Sequence, residues 1–219
     1  TAVLASFVTL KSLNDSKKYA NSYQLLAEFI RYIIADRRIY SFTSAEMKNQ
    51  LREVFGFEIP EAVVKTTLKS ISFVSRSNGI FNVDRSSISP DESFKDFKTL
   101  SESVNSNIID RLEQFIHEKA PHERIHRNAL TQQLLSFLVD DHQSTSGKYI
   151  DLISEFIIVN EKDSEIQEGL NAIREGSILY IGLNYNITET GSITKKLTLF
   201  LGTEILFLLQ RYKLHLLIV

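Results

Sequence analysis

The stretch "TSAEMKNQLREVFGFEIPEAVVKTTLKSISFVSRSNGIFNVD", Thr43 to Asp84, decides how the chain is read. Thr43 is followed by Glu46 three residues on. A threonine hydroxyl can accept from the third helical N–H while the glutamate reaches back to the cap's own amide, so this pair predicts a helix start. Met47, Leu51 and Phe55 then fall at helical spacing, and Gly56 supplies a left-handed stop. Pro60 suits the first turn of a second helix, where Val63, Val64, Leu68 and Ile71 recur at three and four residues. Beyond it, alternating residues flank Asn78-Gly79. That dipeptide tolerates two successive positive φ angles, which a tight hairpin requires.

Upstream, "SYQLLAEFIRYIIADRR" puts Leu25, Leu26, Phe29, Ile30, Ile33 and Ile34 on one helical face. "YSF", Tyr40 to Phe42, follows as a short extended piece. The order is therefore helix, short strand, helix, turn, helix, hairpin. That is the order of a winged helix, a helix-turn-helix elaboration whose hairpin is the wing. We assign residues 1–84 to this domain, the first part being an N-terminal extension. The second helix of a helix-turn-helix enters the major groove. Here it is the helix beginning at Glu61, and its outward residues are Lys65, Thr66 and Lys69. Arg76 and Asn78 lie on the wing, and Lys48 and Arg52 on the preceding helix. These seven are the candidate nucleic-acid-binding residues, since such groups can meet phosphates of double-stranded DNA. Glu61 opposes phosphate at the leading end, and the helix carries no Arg, Asn or Gln to read base edges. A protein-docking module is the alternative reading of the same surface.

Residues 85–105, "RSSISPDESFKDFKTLSESVN", are rich in Ser and Asp and read as a linker, with a short helix from Asp91 onward. Residues 106–176 read as a helical domain. Ile108, Leu112, Phe115 and Ile116 define its first apolar face, and Leu130, Leu134, Leu135 and Leu138 the second. Ile150, Ile153, Phe156 and Ile157 define the third, and Ile166, Leu170 and Ile173 the fourth, closed by Gly176. Residues 177–219 change character: "SILYIGLNYNI" is apolar and β-rich, and "LTLFL" reads as a buried strand. The expected fold class is mainly α with a minor β component.

Composition narrows the function classes. The 219 residues carry a net charge of −2, so any contact with nucleic acid must come from a local patch. There is no cysteine, which removes disulfides, thiol catalysis and Cys-zinc sites, and fits a cytoplasmic setting. The apolar C-terminal run is broken by Glu204, Arg211, Lys213 and His215, so no membrane span is expected. "HERIH", His122 to His126, fits the H-E-x-x-H zinc pattern. It follows Pro121 at a helix start, contains Arg124 and precedes Arg127, cations that oppose a metal ion. No phosphate-cradling glycine motif occurs. No metal ligand, cofactor or catalytic residue is assigned.

"LTLFLGTEILF", Leu197 to Phe207, resembles the first strand of PIN-like nucleases, which ends in Asp-Thr or Asp-Ser before an apolar helix. In that family the aspartate helps bind Mg²⁺ or Mn²⁺, which activates water against a phosphodiester. Thr203 matches the hydroxyl position, and Ile205, Leu206 and Phe207 match the helix start. Gly202 stands where the acid should be, and 17 residues follow it. The layout is similar to that of bacterial proteins with an N-terminal winged helix, a helical middle and a C-terminal PIN-like domain, some linked to phage defence. The resemblance implies that 177–219 is an incomplete PIN-like segment, a strand-turn-helix remnant, and that the chain is a truncated, non-catalytic relative that binds DNA or a partner protein. Two alternatives stay open. One is a metal-dependent nuclease completed by oligomerisation, drawing on Glu204, Glu175 or Asp163. The other is an assembly module that self-associates through the apolar segment 197–219.

Overall fold

The computed structural model describes residues 2–19, 21–88, 92–139 and 147–184, which form a mainly α structure with one small sheet. The elements run α1 (Ala2–Asp15), α2 (Ser22–Asp36), β1 (Ser41–Phe42), α3 (Ser44–Phe55), α4 (Glu61–Lys69), β2 (Val74–Ser77) and β3 (Ile80–Val83). A short 3₁₀ turn, Arg85–Ser87, leads to α5 (Glu92–Lys119), α6 (Arg127–Val139), α7 (Ile150–Val159) and α8 (Ser164–Asn184). None of the described helices is long and apolar enough to cross a membrane.

Between residues 21 and 84 four boundaries have a local cause. Asn21 starts α2 by accepting from the Gln24 N–H at 3.0 Å. Both halves of the Thr43–Glu46 capping box form: Thr43 Oγ1 accepts from Glu46 N–H at 3.2 Å, and Glu46 Oε2 accepts from Thr43 N–H at 2.7 Å. Gly56 ends α3 at φ 71°, in the left-handed region that a side chain disfavours. A Cβ there would also stand 2.9 Å from the Val3 Cβ, so this stop doubles as the seat of α1. The hairpin turns on Asn78 and Gly79, at φ 50° and 83°.

The sheet is antiparallel, in the order β1-β3-β2. Phe42 pairs with Phe81, which pairs in turn with Arg76, so these three share one face. Both phenylalanines are buried with ring centroids 5.9 Å apart. Ser41, Asn82 and Ser75 form the opposite row and are exposed. The core continues into the helical part through Phe29, whose ring lies 4.8 Å from Phe55, 5.0 Å from Phe57 and 5.0 Å from Phe94 of α5.

Three regions depart from the sequence reading. The N-terminal extension is helix α1, buried on nearly every side by α5 and α8. Its hydroxyls bond back one turn, Ser6 to the Ala2 carbonyl and Thr9 to the Ala5 carbonyl, so polar side chains lie inside without unmet donors. The expected linker at 85–105 is largely helix. α5 is one helix of 28 residues that crosses residue 105 without a break. It buries Phe94, Ser101 and Asn105, and Phe97 and Val104 lie half-buried on the same face. Finally, α8 runs through Gly176 to Asn184, where a helix end and then β structure are expected. Gly176 continues the helix because it lies against the backbone of Phe7; a Cβ would stand 2.8 Å from the Phe7 Cα and closer still to its carbonyl. The strand-turn-helix expected around Gly202 lies outside the described residues.

Candidate nucleic-acid interface

Helix α4 buries Val63, Val64, Thr67 and Leu68 against α2, α3 and β2. At 3.6 residues per turn this leaves Ala62, Lys65, Thr66 and Lys69 as one outward stripe, and all four are exposed. Arg76 and Asn78 are exposed on the hairpin that follows. Arg76 stands on the Phe81 face, its guanidinium 5.8 Å from that ring's centre. On α3, Arg52 is exposed and Lys48 half-buried. α4 packs on both α3 and β2, the elements that carry Lys48, Arg52 and Arg76.

The charges of this surface are unequal in their freedom. Lys65 pairs with Glu61 at 2.9 Å, one helical turn back. Glu61 also accepts a 2.6 Å hydrogen bond from Ser44 at the start of α3. Ser44 first, then Lys65, with Lys48 adding attraction, hold the Glu61 carboxyl below its ordinary range. Glu61 therefore acts as a clasp between two helix starts, with its charge largely matched. Pro60 gives α4 no side-chain cap, and a carboxylate in the first turn compensates. The Thr66 hydroxyl donates to the Ala62 carbonyl at 3.0 Å, so its proton is engaged within the helix. Lys69 and Arg52 make no ion pair among the described residues. Across 43–88 the six cations face five carboxylates, so the patch is a local stripe and not a broad positive field.

The structure adds two residues that sequence reading missed. Tyr40 is 68% exposed just before β1, and the Arg85 guanidinium lies 4.8 Å from its ring centre. No sequence signal marked it: Tyr40 stands two residues before the buried Phe42, a spacing that puts both on one face of an extended chain. Ile80, at the hairpin turn, is also exposed.

The other candidate residues come out differently. His122, Glu123 and His126 precede α6 instead of lying on it, so the two histidines do not share a helical face one turn apart. Glu123 pairs with Lys148 at 2.5 Å. The His126 N–H donates to the Tyr149 hydroxyl at 3.2 Å, and that hydroxyl donates to the Arg124 carbonyl at 3.0 Å. The segment is a loop strapped onto a buried tyrosine. Among the described residues no group of three or more His, Cys, Asp or Glu is gathered to hold a metal ion. Of the acids near the expected nuclease segment, Asp163 pairs with Arg111 at 2.6 Å and Glu175 with Lys11 at 3.1 Å. Glu204, like Gly202, lies outside the described residues. No family model, characterised protein or solved structure matches this chain.

Proposed function

We propose that residues 22–84 act as a winged helix that docks on double-stranded DNA mainly through phosphate contacts. The observation that carries this reading is the exposed Lys65–Thr66–Lys69 stripe on α4, a helix packed on α3 and β2, where Arg52 and Arg76 are also exposed. The helix-strand-helix-helix-hairpin order and the β1-β3-β2 sheet agree with it. With no base-reading side chain on α4, binding is weak and tolerant of sequence. By the resemblance at Leu197 to Phe207, the chain is a non-catalytic relative of PIN-like nucleases with Gly202 in the acid's position, and its setting is phage defence.

Fluorescence anisotropy with two unrelated duplexes tests the reading. About four phosphate contacts give a log–log salt slope of about −3 to −4 between roughly 50 and 200 mM salt, equal for both duplexes. Combined reversal at Lys65→Glu, Lys69→Glu and Arg76→Glu abolishes binding. No detectable binding at low salt rejects DNA. A second reading then takes over: a protein partner docks on the hairpin, favoured by the exposure of Tyr40 and Ile80.

A further inference from the structure

We infer that Tyr180 is a positioning residue for helix α4, acting through the backbone of Glu58, an inference that rests on the docking reading above. Tyr180 lies on α8, 122 residues from Glu58 in sequence. Its hydroxyl accepts from the Glu58 N–H at 2.9 Å and donates to the Glu58 carbonyl at 3.1 Å. The N–H belongs to the peptide plane before Glu58 and the carbonyl to the plane after it. One hydroxyl therefore restrains both planes, and with them the φ and ψ of a single residue.

That residue sits in the short connection from Gly56 to Pro60, which sets where α4 starts. Phe57 and Ile59 point into the core on either side, while Glu58 is exposed. Without Tyr180 the two polar groups of Glu58 would exchange with water, leaving the connection held by its two apolar anchors alone. Nor is the start of α4 fixed by a cap of its own, since Pro60 offers no side-chain acceptor. The contacts that hold it come from elsewhere: Ser44 of α3 on Glu61, and Tyr180 of α8 on Glu58.

The mount behind Tyr180 is stiff. Its ring lies 5.1 Å from that of Phe57, nearly parallel, and 5.3 Å from that of Phe7 on α1. One turn back along α8, Gly176 rests on the backbone of Phe7. The α1–α8 pair therefore bears directly on the connection that aims α4. Coupling of this kind is reciprocal: a ligand that orders α4 also protects the Tyr180–Glu58 contact.

Tyr180→Phe keeps the ring contacts and removes the hydroxyl. Amide exchange read by NMR should then quicken about fivefold at Glu58 and over Glu61 to Val64, the loss expected for one hydrogen bond, while Leu26 and Ile30 in α2 stay unchanged. Duplex affinity should fall by a similar factor with the salt slope unaltered, because the phosphate-contacting residues remain. Lys69→Ala is the contrasting variant: it lowers both affinity and slope and leaves exchange at Glu58 alone. Unchanged exchange over Glu61 to Val64 in Tyr180→Phe overturns the inference, whatever the protein binds. So does unchanged affinity in a protein that binds DNA. Faster exchange in a protein that binds no duplex rejects the DNA reading and supports the positioning role.

Discussion

Residues 21–84 and the α1–α8 pair are both well packed, but different kinds of instruction build them. In the first region four boundaries are written within a few residues: Asn21 to Gln24, Thr43 to Glu46, the left-handed Gly56, and the positive φ pair at Asn78-Gly79. In the second, almost nothing local marks α1. α1 has no acidic first turn and no basic last turn, and its buried residues run in an unbroken series from Leu4 to Leu10. What fixes it is shape: Gly176 leaves room for the Phe7 backbone, and Val3 fits under Gly56. The lesson is that a segment can be as well determined as its neighbour while its determinants lie far away along the chain.

The sharpest way to break this comparison is to fill the space at Gly176. Gly176→Ala puts a methyl group against the Phe7 carbonyl, a backbone atom that cannot rotate aside. Overpacking costs about 1–3 kcal/mol, and more against a rigid neighbour. Replacing a helical glycine returns about 1 kcal/mol of propensity. We expect a net loss of about 2 kcal/mol, which lowers the melting temperature by roughly 4–8 °C in a chain of this size. Gly182, on the same helix, meets nothing within 4 Å. Gly182→Ala should therefore be neutral or raise stability by up to about 1 kcal/mol. Equal effects at the two positions in a thermal melt would mean that α1 and α8 are not joined by close fit.

The local region should yield less. Thr43→Ala removes one half of the capping box and should cost about 1 kcal/mol in denaturant unfolding. Since the damage is confined to the start of α3, exchange in α1 and α8 should stay as it was. Loosening of α1 in this variant would show that the local signals also support the distant pair.

The same contrast explains what could be read from the sequence. The helix-strand-helix-helix-hairpin order between Ser22 and Val83 was legible because cap, stop and turn residues announce themselves at short range. The α4 stripe was legible for the same reason, since a helix with four buried positions leaves the others outside. α1 was not legible: a helix covered on all sides has no polar face, so the 3.6-residue period that marks a helix is absent. The second half of α8, "SILYIGLN", is rich in β-branched and large apolar residues, and its packing on α1 overrides that preference. The linker reading of 85–105 failed for a different reason. Phe94, Phe97, Ser101, Val104 and Ile108 repeat at helical spacing, but a serine fills one buried position and hid the stripe among other serines. The Tyr180–Glu58 contact had no local signal at all, because six helices and strands separate α8 from that turn along the chain.

The finest test of the comparison uses two carboxylates that do similar work by different routes. Glu46 serves the start of α3 and is held below its ordinary range by the Thr43 N–H first and the Thr43 hydroxyl second, both three residues away. Asp163 serves the start of α8 and is held down by the Ile166 N–H first and then by Arg111, which reaches it from α5. A carboxylate whose folded pKa is depressed adds stability above its ordinary range and loses it as pH falls through the depressed value. Both contributions are therefore full at neutral pH and fade in acid. Glu46→Gln keeps a residue that can complete the capping box, and Asp163→Asn keeps an equally good cap, so each exchange removes mainly the charge. Among the described residues the Glu46 charge meets no cation, whereas that of Asp163 meets Arg111 at 2.6 Å. We expect the Asp163→Asn deficit in melting temperature at neutral pH to be the larger. It should shrink as salt rises to about 0.5 M, because both partners are partly exposed and screened. The Glu46→Gln deficit should be smaller and nearly indifferent to salt. Deficits of the same size and salt response would mean that α8 is set by its own first turn, as α3 is, and that the line drawn between the two regions is in the wrong place.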